Sequence, residues 1–440
     1  MRSMYAGVSG LKSHQAKMDV IGNNIANVNT IGYKASRVNF QEVFSQTIKG
    51  ANAPDSNSGR GGSNPMQIGL GISIGAIDTI TSRGGLQRTD NPTDLYIDGE
   101  GYFIVKDSNN SPFEFTRAGN LTIDELGNLV TAGGSYVYGW LDYGDKTDSS
   151  GNYEYDTNKP VEPINIYMDS YNGNKRTVAA KATENVKLSG NLDAALEVTS
   201  SSGADNAQSI VPVTVYDSLG KEYEINIEFK KISASGGITT WQWNVKGNDL
   251  TSSGSGTIQF NSDGKIVKPT GQDKVESTIT LIPPDNTGSK QFNIKLDFTN
   301  ITMFAGSENY VNTESVDGYS SGNLTYYTIG SDGIIMGVYS NGKQQPLGLI
   351  GLAVFDNPAG LQRIGNNLYI STSNSGDFQK AVKPGSKNAG VLNAGVLEMS
   401  NVDLAEEFTE MIITQRGFQA NSRILTTADE MLQELVNIKR

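Results

Sequence analysis

The chain has 440 residues, with 47 acidic against 35 basic side chains, 50 glycines and no cysteine. That length calls for several domains, and a net charge of −12 argues against a nucleic-acid scaffold, which presents a basic face. The missing thiols exclude disulfides, cysteine zinc sites, thiol nucleophiles and any cross-link made through a Cys side chain.

In chain order, the first predicted element is an amphipathic helix from about residue 3 to about residue 30. Leu11, His14, Met18, Ile21, Ile25 and Val28 follow one another at three- and four-residue gaps and define one apolar face. Gly32 is placed to end the helix in a left-handed conformation. Asn23, Asn24, Asn27 and Asn29 are poor interior helix residues. Either they hydrogen-bond across a packed interface or the helix frays there. No hydrophobic signal-peptide centre lies in the first residues, and no apolar run reaches the ~18 residues needed to span a membrane.

Residues 50–66 read as a Gly/Ser/Asn linker. β-Structure follows: Ile68, Leu70, Ile72 and Ile74 alternate with small residues, and 95–106 reads as a hairpin around Gly99-Glu100-Gly101. Further turns are expected at 124–127, 217–220, 262–264 and 331–333. Residues 145–160 and 303–321 read as boundaries, which makes 166–303 a β-module inserted into another. A second linker covers 373–395. The last element is a helix from Ser400 or Asn401, with Leu397, Leu404, Met411, Phe418, Leu425 and Leu432 recurring every seven residues. Phe408, Ala428 and Leu435 fill the intermediate positions. Glu406 and Glu407 suit the positive end of its dipole. Residues 1–40 carry five basic side chains against Asp19 alone, and residues 399–440 carry four basic and seven acidic ones, so the two ends favour pairing.

No catalytic, cofactor or metal residue is assigned. The lone histidine, His14, sits on a helix face, where a packed polar residue is the simplest reading. The Asp-x-x-Gly segments lack the ligand spacing of calcium loops. Gly69-x-Gly71 and Gly99-x-Gly101 are not followed by helices, as phosphate loops would be. A β-rich polysaccharide hydrolase would need a carboxylate pair in a cleft, and an adhesin would need a signal peptide or an anchor.

Several segments are familiar. GNNIANVNTIGYK (22–34) with FQE (40–42) resembles the N-terminal signature of bacterial flagellar rod and hook proteins. SRGGLQRTDNPTDLYIDGEGYFIV (82–105) is similar to their shared β-domain motif, and residues 400–440 resemble their C-terminal helix. DGYSSGNLTYYTIGSDGIIMGVYSNGKQQPLG and LAVFDNPAGLQRIGNNLYISTSNSG resemble the return half of the hook β-domain, whereas 166–303 matches only loosely.

The resemblance implies a multidomain α+β protein. Its terminal helices would form a coiled-coil-like inner layer, and two nested, mainly antiparallel β-domains would lie outside them. Under that layout residues 1–38 with 399–440 form the helical domain, and 39–75 with 379–398 are linkers. Residues 76–165 with 304–378 form the inner β-domain, and 166–303 the outer one. The implied function is non-enzymatic: a hook subunit that polymerises into a curved tube joining motor rod to filament, with the distal rod protein as the alternative. The implied assembly residues are Leu11, Met18, Ile21, Ile25, Val28, Leu404, Phe408, Met411, Phe418, Leu425, Leu432 and Leu435. The implied partners are further copies of the chain, the distal rod, hook cap and hook–filament junction proteins, and the flagellar type III export apparatus. No cofactor, nucleic acid or membrane insertion is implied. The implied location is extracellular, reached without a cleaved signal peptide.

Overall fold

The computed structural model describes the whole chain except residues 1, 54–60, 108–110, 144–153, 172, 199–207, 248–249, 270–272, 285–287, 307–308, 387 and 439–440. Two long helices, α1 (Arg2–Ala26) and α2 (Leu404–Ile438), bracket a chain whose other described elements are mostly strands. The chain divides into two compact units, one of residues 1–173, 327–336 and 346–440, the other of 174–326 with 337–345.

The first unit holds both helices and a mainly antiparallel sheet. Strand Tyr102–Lys106 lies between Tyr136–Trp140 and Glu114–Thr116. Tyr102, Phe103, Ile104 and Val105 are all buried, so both faces of this strand are covered and its apolar run is continuous rather than alternating. Tyr102, Phe115, Phe355 and Phe378 pack edge-on or tilted beside it, with Phe113 against Tyr138.

The second unit is a β-sandwich. A four-stranded sheet (209–216, 222–235, 238–247, 255–260) and a five-stranded sheet (251–253, 276–282, 292–304, 185–193, 310–316) share one core. Strand Glu222–Ser235 alternates exposed and buried positions along most of its length, the pattern of a sheet with one wet face. Trp241, Trp243, Phe229 and Phe298 fill the centre. One pair, 185–193 with 292–304, is parallel. Two neighbouring antiparallel strands of this unit place Thr177 opposite Asn323 and Val178 opposite Gly322.

Several expectations need correction. The segment 95–106 is not a hairpin. Leu95–Asp98 pairs with Val391–Ala394, and Tyr102–Lys106 pairs elsewhere. Gly99 takes φ 141° because Gly390 passes so close that a Cβ would lie 2.4 Å from its Cα. Residues 39–75 are not a linker. Ser36–Glu42 pairs with Ile72–Thr79, and Ser45–Lys49 with Met66–Gly69, forming two antiparallel ribbons. The expected alternating strand at 68–74 is split by Gly71 at φ 114°. The stretch 379–398 also carries strands, at 391–394 and 396–398. The boundary at 303 falls inside strand Phe292–Phe304, and strand Tyr310–Val316 pairs with Asn185–Asp193, so the inserted unit extends to 326. Much of the boundary expected at 145–160 lies outside the described residues.

Candidate assembly interface

The two helices form an antiparallel pair. Gly7 faces Asn421 and Ile424, His14 faces Gly417, and Asn24 faces Glu407. Lys17 pairs with Glu410. The seam between them is made largely of small and polar residues. A Cβ at Gly10 would lie 2.8 Å from the Asn421 side chain, and one at Gly417 would lie 2.7 Å from the His14 ring. Glycine at both sites therefore lets the helices come close. Thr414 and Ala428 are buried on α2. With Glu407 and Asn421 they form a second seven-residue repeat, which no hydrophobic pattern reveals.

The residues expected at the interface are distributed unevenly. Ile21 is buried, and Leu11, Met18 and Ile25 are half-buried on α1. Val28 is half-buried in the turn after the helix. Met411, Phe418 and Leu425 are half-buried on α2. Leu404, Phe408 and Leu432 are exposed, Phe408 by 50%. The Leu435 side chain lies outside the described residues. Because small residues close much of the seam, large apolar ones are left on the outer faces: Tyr5, Ile412, Ile413, Met431, Val436 and Ile438. The pairing register also carries α2 past the start of α1, so its last turns have no α1 residue opposite. The ribbon 45–49/66–69 exposes Ile48, Met66 and Ile68 in the same way.

α1 ends at Ala26, short of the expected residue 30. Two of the asparagines account for this. Asn27 turns its amide back to the Asn23 carbonyl, competing with the helix. Asn24 is 1% exposed, donates to the Ser36 carbonyl and to Glu407, and accepts from the Ser36 N–H at 3.0 Å and from Tyr33. Asn24 thus packs as an interface amide, while Asn29 is exposed. Gly32 does adopt φ 68°, in the turn beyond the helix.

His14 is packed against Gly417 and edge-on to Phe40, and its Nδ1 is buried without a hydrogen-bond partner. Burial, and then the nearby Lys17, hold its pKa below the ordinary value. The groups facing it are cationic Lys17 and, through Lys17, Glu410. A lowered pKa in the folded state means that the unfolded state binds more protons. The stabilisation is therefore complete above the ordinary histidine pKa of about 6.5 and lost as pH falls through the lower folded value. Acidifying from about pH 7.5 to about pH 5 should loosen the helix pair, read as lost helical circular dichroism. His14→Leu should remove that dependence; an unchanged pH profile in the variant would count against this role.

Just beyond α1, residues 31–35 are held from several directions. Asn367 Nδ2 donates to the Ile31 carbonyl at 3.0 Å, Gly32 N–H donates to the Glu398 carbonyl at 2.8 Å, and Ala35 N–H donates to Asn401 Oδ1 at 2.7 Å. Arg363 donates to the Lys34 carbonyl and lies over the Tyr33 ring. The Lys34 ammonium is buried, 2.5 Å from Glu398 Oε1 and 2.8 Å from the Ser82 carbonyl. Glu398 Oε1 also accepts from Gly84 N–H, while Oε2 faces Arg117 at 3.6 Å. Burial pulls the Lys34 pKa down, opposed by Glu398. Burial likewise pushes the phenol of Tyr102, beneath Arg117, up to about 12. Neither Arg117 nor Glu398 stands out in the sequence, because the buried ion cluster joins positions far apart along the chain.

Known families match most of this chain. Residues 4–34 match the family described as flagella basal body rod protein, and 96–180 the D1 domain of flagellar hook protein FlgE/F/G. Residues 187–319 match the FlaE D2 domain of flagellar basal body proteins, and 393–438 the C-terminal family of the basal body rod FlgEFG proteins. The flagellar hook protein FlgE of Borreliella burgdorferi is 40% identical, with 100% of both chains covered. The basal-body rod protein FlgG of Bacillus subtilis is 32% identical, again with 100% of both covered. A crystal structure of Helicobacter pylori flagellar hook protein FlgE2 shares the fold, with a TM-score of 0.52 at 15% identity over 71% of this chain and 100% of that one. With its fuller identity to a hook protein than to a rod protein, the chain belongs to the flagellar hook protein family, as a hook subunit.

Proposed function

We propose that this chain assembles with copies of itself into a curved, flexible tube that carries torque from the motor rod to the filament, without catalysis. One observation carries the reading. The helix pair closes much of its own seam with small residues and leaves several large apolar side chains, Ile412, Ile413, Met431, Val436 and Ile438 among them, facing outward. Apolar patches of that kind mark association sites. A face that meets a different face on the next copy, repeated by a screw rotation, builds an open tube rather than a closed ring.

In this reading the terminal helices, residues 1–38 and 399–440, form a coiled-coil-like inner layer. Leu404, Phe408 and Leu432 meet neighbouring copies. Ile21, Leu11, Met18, Ile25, Met411, Phe418 and Leu425 support the pair, and Val28 the turn after α1. The β-domains form the outer layers. The ends of the tube meet the distal rod, cap and hook–filament junction proteins. The subunit travels unfolded through the type III apparatus to the cell exterior.

The test is direct. Purified protein driven to polymerise should give sedimentable tubes in negative stain. Protease applied before polymerisation should remove α1 and α2 and spare the β-units. Failure to form any ordered polymer would overturn the reading.

A further inference from the structure

The cluster at Lys34, Glu398 and Arg117 has uneven charge. One buried carboxylate lies between two buried cations, and each of the three side chains is at most 7% exposed. Its hydrogen bonding is uneven too. Lys34 is bonded to Glu398 and Ser82, whereas Glu398 Oε2 and the Nε and Nη1 of Arg117 have no hydrogen-bond partner. Two further cations lie nearby: Arg83 is exposed and paired with Asp98, and Arg363 donates to the Lys34 carbonyl and lies over the Tyr33 ring. The partners differ in origin. Lys34 belongs to the segment that leads out of α1, while Arg117 and Glu398 belong to the β-part of the same unit.

We propose that Ser82, Gly84, Arg117, Glu398 and Asn401 form a seating slot for the segment Ile31–Ala35, with Lys34 as a removable key. Taking Lys34 away leaves Arg117 paired with Glu398, so the slot remains balanced without its key. Taking Glu398 away leaves two buried cations facing each other, which is strongly destabilising. The β-part can therefore stand with the segment seated or released. Seating is confined to one position, because Lys34 must meet Glu398 while Gly32 and Ala35 meet the Glu398 carbonyl and Asn401. At Gly32 a Cβ would lie 2.9 Å from the Arg117–Ala118 backbone, so a shifted segment would put a side chain where there is no room. The slot thus sets where the N-terminal helix docks more than how tightly the β-part folds.

Hydrogen exchange on the full-length chain tests this with Lys34→Met, Arg117→Met and the double variant. Lys34→Met should speed exchange in residues 28–40 about tenfold, equivalent to ~1.4 kcal/mol, and leave the core strand Tyr102–Lys106 as protected as in the parent. Arg117→Met alone should leave that strand protected, because Lys34 then balances Glu398. The double variant strands Glu398 and should open the core strand far beyond the sum of the single changes. If Lys34→Met exposes the core strand as much as residues 28–40, Lys34 is part of the β-core and not a key. If the double variant is merely additive, the two cations do not substitute for each other. Either result overturns the proposal. The readout needs no polymer, so failure of the tube reading would leave it standing.

Discussion

Ile21→Asp should leave no sedimentable tubes, while both β-units should keep their folded signals. Ile21 is 4% exposed, on the α1 face toward the seam. Removing a buried aliphatic side chain costs ~2–5 kcal/mol, and a carboxylate in its place adds the penalty of an unpaired buried charge. Every subunit of a polymer carries that cost, so the effect multiplies along the tube. Leu425→Asp should act in the same direction but less strongly, because Leu425 is only half-buried. The measurements are pelleting after induced polymerisation, and melting of the β-units followed through Trp140 and Trp241, both buried in the β-cores. Tubes formed at the parental level by Ile21→Asp would show that the helix pair is not needed for assembly.

Removing the inserted unit should produce tubes that are straight rather than absent. Val178 and Gly322 face each other on antiparallel strands, so residues 179–321 can be replaced by a two-residue Asn-Gly turn that closes a hairpin in the existing register. What is lost is a sandwich with its own core. Its outward strand positions are largely polar, as in Glu222–Ser235. Wet, polar surfaces make weak contacts that neighbours can exchange as a joint turns. The apolar helix faces are costlier to separate. Electron micrographs of a strain carrying this deletion should show straighter hooks and impaired swimming. Hooks of normal curvature, or secreted subunit with no hooks, would assign curvature elsewhere.

How much of this was legible in the sequence depends on the distance between partners. The helices were legible because their periodicity is local, and the turns at 124–127 and 217–220 because Gly127 and Gly220 take positive φ there. The alternating strands of the sandwich show their wet and dry faces in the same way. The misplaced features share a cause. Leu95–Asp98 pairs with residues nearly three hundred positions later, so the glycines after it resemble a tight turn when they serve a close backbone approach. The inserted unit was cut short at 303 because its closing strand, Tyr310–Val316, looks locally like its neighbours and is claimed only by pairing with Asn185–Asp193. On the helices, Leu404, Met411, Phe418, Leu425 and Leu432 announce a stripe, yet Thr414, Gly417 and Asn421 make the close contacts with α1 or lie buried beside them, and of the expected intermediate positions Ala428 is buried. Close helix approach favours the absence of side chains, and hydrophobic pattern reading cannot register an absence.

The outward-facing side chains of the helix pair also bear on supply. A folded subunit that shows Ile412, Ile413, Met431, Val436 and Ile438 to water is poorly suited to storage. At high concentration such molecules find each other in the wrong place. A cell that stockpiles this protein must keep its ends covered or unfolded until they are used, and one that makes it on demand must match synthesis to consumption. In either case the apolar faces that serve a finished structure set a ceiling on how much folded precursor can wait in solution.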